Sequence, residues 1–402
     1  MRRSLWAGAA IAAVMVSAAL PAAAQKAYGP GVTDTEIKIG STGPYSGPVS
    51  MASTVTKSLV AYFDKVNAEQ GGINGRKVKV VALDDGYVPP RTVEQTRKLV
   101  EEEQVLFIVD SVGTPTQLAV RQYLNDRKVP QLFPASGAAP FYDPQKSPWT
   151  VGFAPSNYTE GQLIGKYVAK NMPGAKIAIL YQNDDLGKDY SRGGKKGIGT
   201  AATVVGDASY EVSDPTVDSQ IVTLQATGAD VLFCFATQKA TAQAIRHAAE
   251  IGWKPKIFIP SIVSSISLVL QPAGLDNSKG VMAATYVKDP TSPRWADDQG
   301  AKDFIEWVKK YDTAVDVRDS FAASGGYMVG MLTEQVLKAA GDNLTRENIL
   351  AQATNLKGVA LPMLIPGITA STTPTDRRSI KQVQFQYFDG QNWVLTGDLV
   401  SD

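Results

Sequence analysis

Residues 36–47 read EIKIGSTGPYSG, an alternating strand that runs straight into a small, hydroxyl-bearing loop. Ile37 and Ile39 alternate with Glu36 and Lys38, and Gly43, Pro44, Ser46 and Gly47 follow before a helical pattern starts near Ser53 or Thr54. A strand that ends this way at a helix N-terminus offers unpaired N–H groups to a ligand. In open α/β sheets, ligands sit beyond the carboxyl ends of the strands. A chain built by repeating this unit folds as a parallel, doubly wound sheet with its loops gathered at one edge.

The repeats are present. Leu59, Val60, Phe63 and Val66 give a helix face closed by Gly71-Gly72, and 77–83 alternates into a second strand ending at Asp84-Asp85. Residues 91–103 read as a helix, 105–109 as a buried apolar strand, the stretch to 125 as a helix and 129–133 as a strand. A second series begins near Ala154. It has helices at 159–170, 219–227 and 239–251, strands at 176–181, 203–209, 230–235 and 256–260, and a glycine-rich helix or turn at 187–199. The tail departs from alternation, with helical segments at 296–311, 320–340 and 345–356. A hairpin follows, in which 382–388 and 392–395 flank Asp389-Gly390. Two series imply two similar lobes, with linkers near 153–156 and 284–288.

The first 24 residues read as an export leader: Arg2 and Arg3, an uncharged apolar run at 5–20, then Pro21-Ala22-Ala23-Ala24, with Gln25 as the expected new N-terminus. The run is short for a membrane span, and no Cys follows it to carry a lipid. No later stretch is apolar enough to insert in a bilayer. Removing 1–24 takes two of the 40 basic residues and none of the 39 acidic ones, leaving a net charge of −1. That balance excludes nucleic acid and an anionic membrane surface as expected partners. One cysteine, Cys234, permits no intrachain disulfide and lies in an apolar strand, where a buried structural thiol is expected.

Enzyme signals are poor. The single histidine, His247, sits mid-helix, and one His with one Cys cannot build a soft metal site. Neither a G-x-S-x-G elbow nor a Walker A loop occurs, and no cofactor is expected. Asp184-Asp185 could serve as an acid/base pair, although such pairs more often cap helices. Binding signals are better. Gly113-Thr114 and Ala135-Ser136-Gly137 sit at strand ends beside helix N-termini, and plain turn chemistry does not explain why three strands all end this way.

Residues 37–47, Gly71-Gly72-Ile73-Asn74-Gly75, Asp84-Asp85, Pro134-Ala135-Ser136, Glu160-Gly161, the 185–187 turn and Gly326-Tyr327 together resemble the binding proteins of branched-chain amino-acid-type ABC importers, over essentially the whole mature chain. The resemblance implies the type I periplasmic fold: α/β, with two doubly wound parallel-sheet lobes joined by three crossing segments. It implies capture of a small-molecule ligand between the lobes and delivery to an inner-membrane ABC permease. The lobes are expected as 25–153 with 294–380 and 154–293 with 381–402.

The departures bear on the ligand. In the amino-acid binders that this chain resembles, hydroxyl side chains stand at Gly113 and Gly137, an ammonium-binding acid at Ser261 and an aromatic wall at Ala52. The family's first-lobe disulfide would fall near Tyr87 and Val112. These changes imply a wider cavity without an ammonium partner, suited to a carboxylate lacking an α-amino group. The expected site is Ser46, Gly113, Thr114, Ala135, Ser136, Gly137, Tyr158, Asp184, Thr237, Ser261 and Tyr327, with Tyr286 a further candidate wall. Backbone N–H groups at 113, 114, 135 and 136 are expected to hold the carboxylate. A periplasmic monomer that breaks no bond is the reading. Its rivals are a secreted α/β enzyme using Asp184 or Asp185 and a ligand-sensing subunit of a membrane receptor.

Overall fold

In the computed structural model the described residues are 26–401; the expected leader at 1–24 lies outside them. Two sheets organise the chain. The first has five parallel strands in the spatial order Lys77–Asp84, Glu36–Gly43, Ile108–Val109, Gln131–Leu132 and Thr150–Val151. In the second, Met282–Thr285, Lys256–Ile259, Val231–Phe235, Lys176–Gln182 and Thr203–Tyr210 run parallel. The antiparallel pair Val383–Phe388 and Trp393–Val400 is added at its edge.

Strand burial follows from helices on both faces. All of Val231–Phe235 is buried. Val231, Phe233 and Phe235 enter one core, while Leu232 and Cys234 enter the other. A two-residue period therefore feeds two apolar layers from one strand. The hairpin closes where the Asp389 carboxylate accepts from the N–H groups of Gln391 and Asn392.

The sequence expectation needs several adjustments. The first strand continues through Ser41 to Gly43, where a loop was expected, because these residues keep their ladder with Ala82, Leu83 and Asp84. The third and fourth strands are shorter than expected. Pro130 has no N–H to donate, and the backbone turns left-handed at Asp110 and at Phe133, both with φ of 52°. Those turns end the strands and send 111–114 and 134–137 toward the second lobe. The 187–199 segment is a true helix, Asp185–Ile198. Met282–Thr285, with sequence MAAT, is a strand that period reading passes over.

Three segments cross between the sheets, near 152–156, 286–288 and 378–382. The first and third run side by side, with Ser379 N donating to Gly152 O and Ile380 N to Phe153 O. The second pairs with 363–365 through Ile365 N to Tyr286 O and Lys288 N to Met363 O. Each lobe also contains a helix pair packed through glycines. In the second lobe Gly161 and Gly165 of Asn157–Asn171 meet Gly193 and Gly197 of Asp185–Ile198. In the first lobe Gly326 and Gly330 of Ser320–Ala340 lie against Ser53–Gln70.

Candidate functional site

The strand-end loops of both sheets enclose a cavity of about 980 Å3, measured out to its open mouth. The first lobe contributes Tyr87, Asp110 and the two short loops at 112–114 and 134–137. From the second come Asn157, Glu160, Leu186, Tyr190, Thr237 and Ser261. Phe153 and Tyr286 enter from the crossings, and Phe321 from the long tail helix.

Of the residues singled out in the sequence, Gly113, Thr114, Ala135, Ser136, Gly137, Thr237, Ser261 and Tyr286 line this cavity, and so does Ala52. Four others do not. Ser46 is exposed and donates its hydroxyl to Asp84 at 2.6 Å, because Asp84 gathers the whole first loop through the N–H groups of Tyr45, Ser46 and Gly86. Asp184 caps the Asp185–Ile198 helix, accepting from Leu186 N at 2.9 Å and from the Gln182 amide. Tyr158 packs its backbone onto Gly193, while Asn157 and Glu160 of the same helix take the cavity side. Tyr327 sits in the first-lobe core, its ring centroid 4.7 Å from that of Trp307 and 5.6 Å from that of Tyr62.

The expected backbone cradle is also reduced. Gly113 N donates to Ala135 O, Ala135 N to Ser111 O and Ser136 N to Pro134 O. Of the four N–H groups, that of Thr114, in the first turn of Thr114–Asp126, alone has no acceptor among the described residues. Beside it the Thr114 and Ser136 hydroxyls meet at 2.8 Å, and the Asn157 amide reaches Thr114 Oγ1 at 3.3 Å. The groups left here to meet an anion are one N–H at a helix N-terminus and two hydroxyls, not a row of amides.

Two acids that the sequence reading missed face the cavity. Glu160 is buried against Ser261: its Oε1 accepts from Ser261 N at 2.6 Å, and its Oε2 from Ser261 Oγ at 2.9 Å and the Tyr190 hydroxyl at 3.1 Å. Burial pushes its carboxyl up to about 7, against the pull of those hydrogen bonds. Asp110 is 1% exposed, its Oδ2 has no hydrogen-bond partner, and burial pushes its carboxyl well above the usual range. No Lys, Arg or His is among the described lining residues. Acids other than the expected Asp184 therefore face the cavity. Glu160 stands next to Ser261, and its place early in a helix looks in sequence like any solvated helix-face acid.

A family profile described as periplasmic binding protein matches residues 36–391. The chain belongs to the periplasmic binding protein family. That family is one of substrate-binding proteins of ABC transporters rather than of enzymes. The Leu/Ile/Val-binding protein homolog 1 of Brucella suis biovar 1 is 24% identical over 362 residues, 89% of each chain. The fold matches a branched-chain amino acid ABC transporter protein from Thermus thermophilus with bound valine, at a TM-score of 0.83 and 16% identity, over 92% of this chain and 98% of that one. It also matches an R. palustris solute-binding protein in complex with 4-hydroxybenzoate, at 0.77 and 19%, over 91% and 97%.

For this periplasmic binding protein the two glycines at the cavity are explained by their neighbours. A Cβ on Gly113 would lie 2.6 Å from the Tyr87 ring and 2.4 Å from Thr116 Oγ1, on a backbone with φ of 111°. A Cβ on Gly137 would lie 2.3 Å from the Asn157 amide oxygen. The space beside Gly113 and Gly137 is thus already filled by the Tyr87 edge and the Asn157 amide. Among the described residues no helix is long and apolar enough to cross a membrane, and no cluster of three potential metal ligands occurs.

Proposed function

We propose that the protein is an exported solute-binding component of an ABC importer, working in the periplasm as a monomer. It captures a small hydrophobic amino acid or a related carboxylate, the aromatic acids included, and presents it to an inner-membrane permease without breaking a bond. The lobes are assigned as 25–153 with 294–380 and 154–293 with 381–402, so that closure occurs about the three crossings. The observation that carries the reading is the composition of the cavity. Thr114 and Ser136 make a small anion site at a helix N-terminus, and the rings of Phe153, Tyr190, Tyr286 and Phe321 line the remainder. Apolar walls with a few convergent polar groups suit a small amphiphilic solute. The structural neighbours that hold valine and 4-hydroxybenzoate are consistent with either ligand class. The enzyme reading loses support because Asp184 is engaged as a helix cap and Asp185 is exposed.

A thermal-shift screen of amino acids, aromatic acids and other small carboxylates tests this. Ligand at about 100 times its Kd contributes about 2.7 kcal/mol, which is a rise in Tm of about 5 °C or more for a chain of this size. The expected result is a stabilising compound recovered unchanged after prolonged incubation. Turnover of that compound, or no stabilisation by any member, contradicts the reading.

A further inference from the structure

We propose that Asp110 receives the ammonium or other cationic nitrogen group of the ligand, taking from the first lobe the role that an acid at Ser261 would have had in the second. The inference rests on the solute-binding reading and narrows it to nitrogen-bearing ligands.

Three observations converge. Asp110 lines the cavity, and it is buried with Oδ2 unpartnered. An unpaired buried carboxylate is strongly unfavourable, and such groups in folded proteins call for an explanation. Secondly, its backbone is held left-handed, at φ of 52°, at the end of the Ile108–Val109 strand. That turn ends the strand and brings Asp110 to the cavity wall. Thirdly, the other acid of the cavity is already supplied: Glu160 accepts three hydrogen bonds from Ser261 and Tyr190. With no base among the described lining residues, the unpartnered Asp110 carboxyl has no cation of the protein's own to meet, whereas a zwitterion brings one. Its carboxylate goes to Thr114 and Ser136, and its cation to the acid that has no other partner. The titratable groups that sense Asp110 are the hydroxyls of Tyr45 and Tyr286, neither of which is a cation.

The test uses matched probes by calorimetry on the whole mature protein: leucine with 4-methylpentanoate, phenylalanine with 3-phenylpropanoate, and phenethylamine. The wild type is expected to bind at least one nitrogen-bearing probe about 100-fold more tightly than its desamino partner, or phenethylamine more tightly than 3-phenylpropanoate. Asp110→Asn is expected to erase that preference. Equal binding of partners by the wild type overturns the assignment, as does an unchanged preference in Asp110→Asn. Binding of a nitrogen-free acid with no nitrogen-bearing probe bound also overturns it while leaving the solute-binding reading intact. Failure of every probe and every compound of the wider screen overturns both. Melting of the ligand-free proteins at pH 8 gives an independent readout. Asp110→Asn is expected to melt at or above the wild-type temperature, since it removes an unpartnered carboxyl. A clearly lower value shows that Asp110 is held by the protein itself and contradicts the proposal.

Discussion

Gly193→Val is expected to lower the Tm by about 10 °C or to prevent folding. A Cβ at Gly193 would stand 2.1 Å from Tyr158 O, and its counterparts at Gly197, Gly161 and Gly165 would stand 2.1–2.4 Å from carbonyl oxygens of the facing helix. The obstacle is backbone, so no rotamer change relieves it; the helices must separate. Overpacking a core typically costs about 1–3 kcal/mol. A branched side chain driven between two backbones exceeds that range, and each kcal/mol moves the Tm of a large domain by about 2–4 °C. The consequence reaches the cavity, because these two helices carry Asn157 and Glu160 on one side and Leu186 and Tyr190 on the other. Gly325→Ala is the contrast. An added Cβ there meets nothing within 4 Å, on a helix with ordinary φ. It is expected to be neutral or to stabilise by about 1 kcal/mol through helix propensity. Circular-dichroism melts of the two variants check the pair; a Gly193→Val protein that melts like the wild type refutes the glycine contact.

The second large effect concerns Glu160. Glu160→Ala leaves Ser261 N–H, the Ser261 hydroxyl and the Tyr190 hydroxyl without their shared acceptor. A loss of about 3 kcal/mol is expected. Glu160→Gln keeps an acceptor and the shape, so it is expected to fold normally with a different response to pH. The folded-state value of Glu160 is raised, to about 7 from 4.5. Between those values the native state holds the proton more strongly than the unfolded chain does. Stability from this group is therefore greatest below pH 4.5, declines as pH rises, and is fully lost above 7. The amplitude is on the order of 3 kcal/mol. Asp319, raised to about 7 chiefly by burial, acts with the same sign, so the informative quantity is the wild type minus Glu160→Gln. Urea titrations from pH 4.5 to 8 should show that difference changing by about 3 kcal/mol. Parallel curves would mean that Glu160 is not held neutral by burial.

Much of the architecture is legible because it is written in local periods. Val231–Phe235 is wholly apolar, Ser320–Ala340 carries an unbroken helical face, and Gly71 supplies the left-handed residue that ends Ser53–Gln70. Met282–Thr285 escapes that reading because Ala and Thr neither alternate nor signal a buried strand. The cavity is legible only to the extent that it is made of strand-end loops. Gly113, Thr114, Ser136 and Ser261 lie in such loops and their positions can be anticipated. Glu160 and Asp110 cannot. An acid in the fourth position of a helix and an Asp after a strand are what solvated surfaces and turns contain. Glu160 is buried against Ser261 and Tyr190, 101 and 30 residues away along the chain, and no local pattern encodes such contacts. Tyr327 errs in the opposite direction, since a Tyr beside a glycine looks like a wall of the site, yet its ring completes the cluster with Tyr62, Phe304 and Trp307.

That the lobes close around one small solute is tested most directly by small-angle X-ray scattering of the mature protein, alone and saturated with the compound that stabilises it most. The account predicts a smaller radius of gyration in the saturated sample, from rotation about the three crossings. An unchanged radius at demonstrated saturation would contradict it.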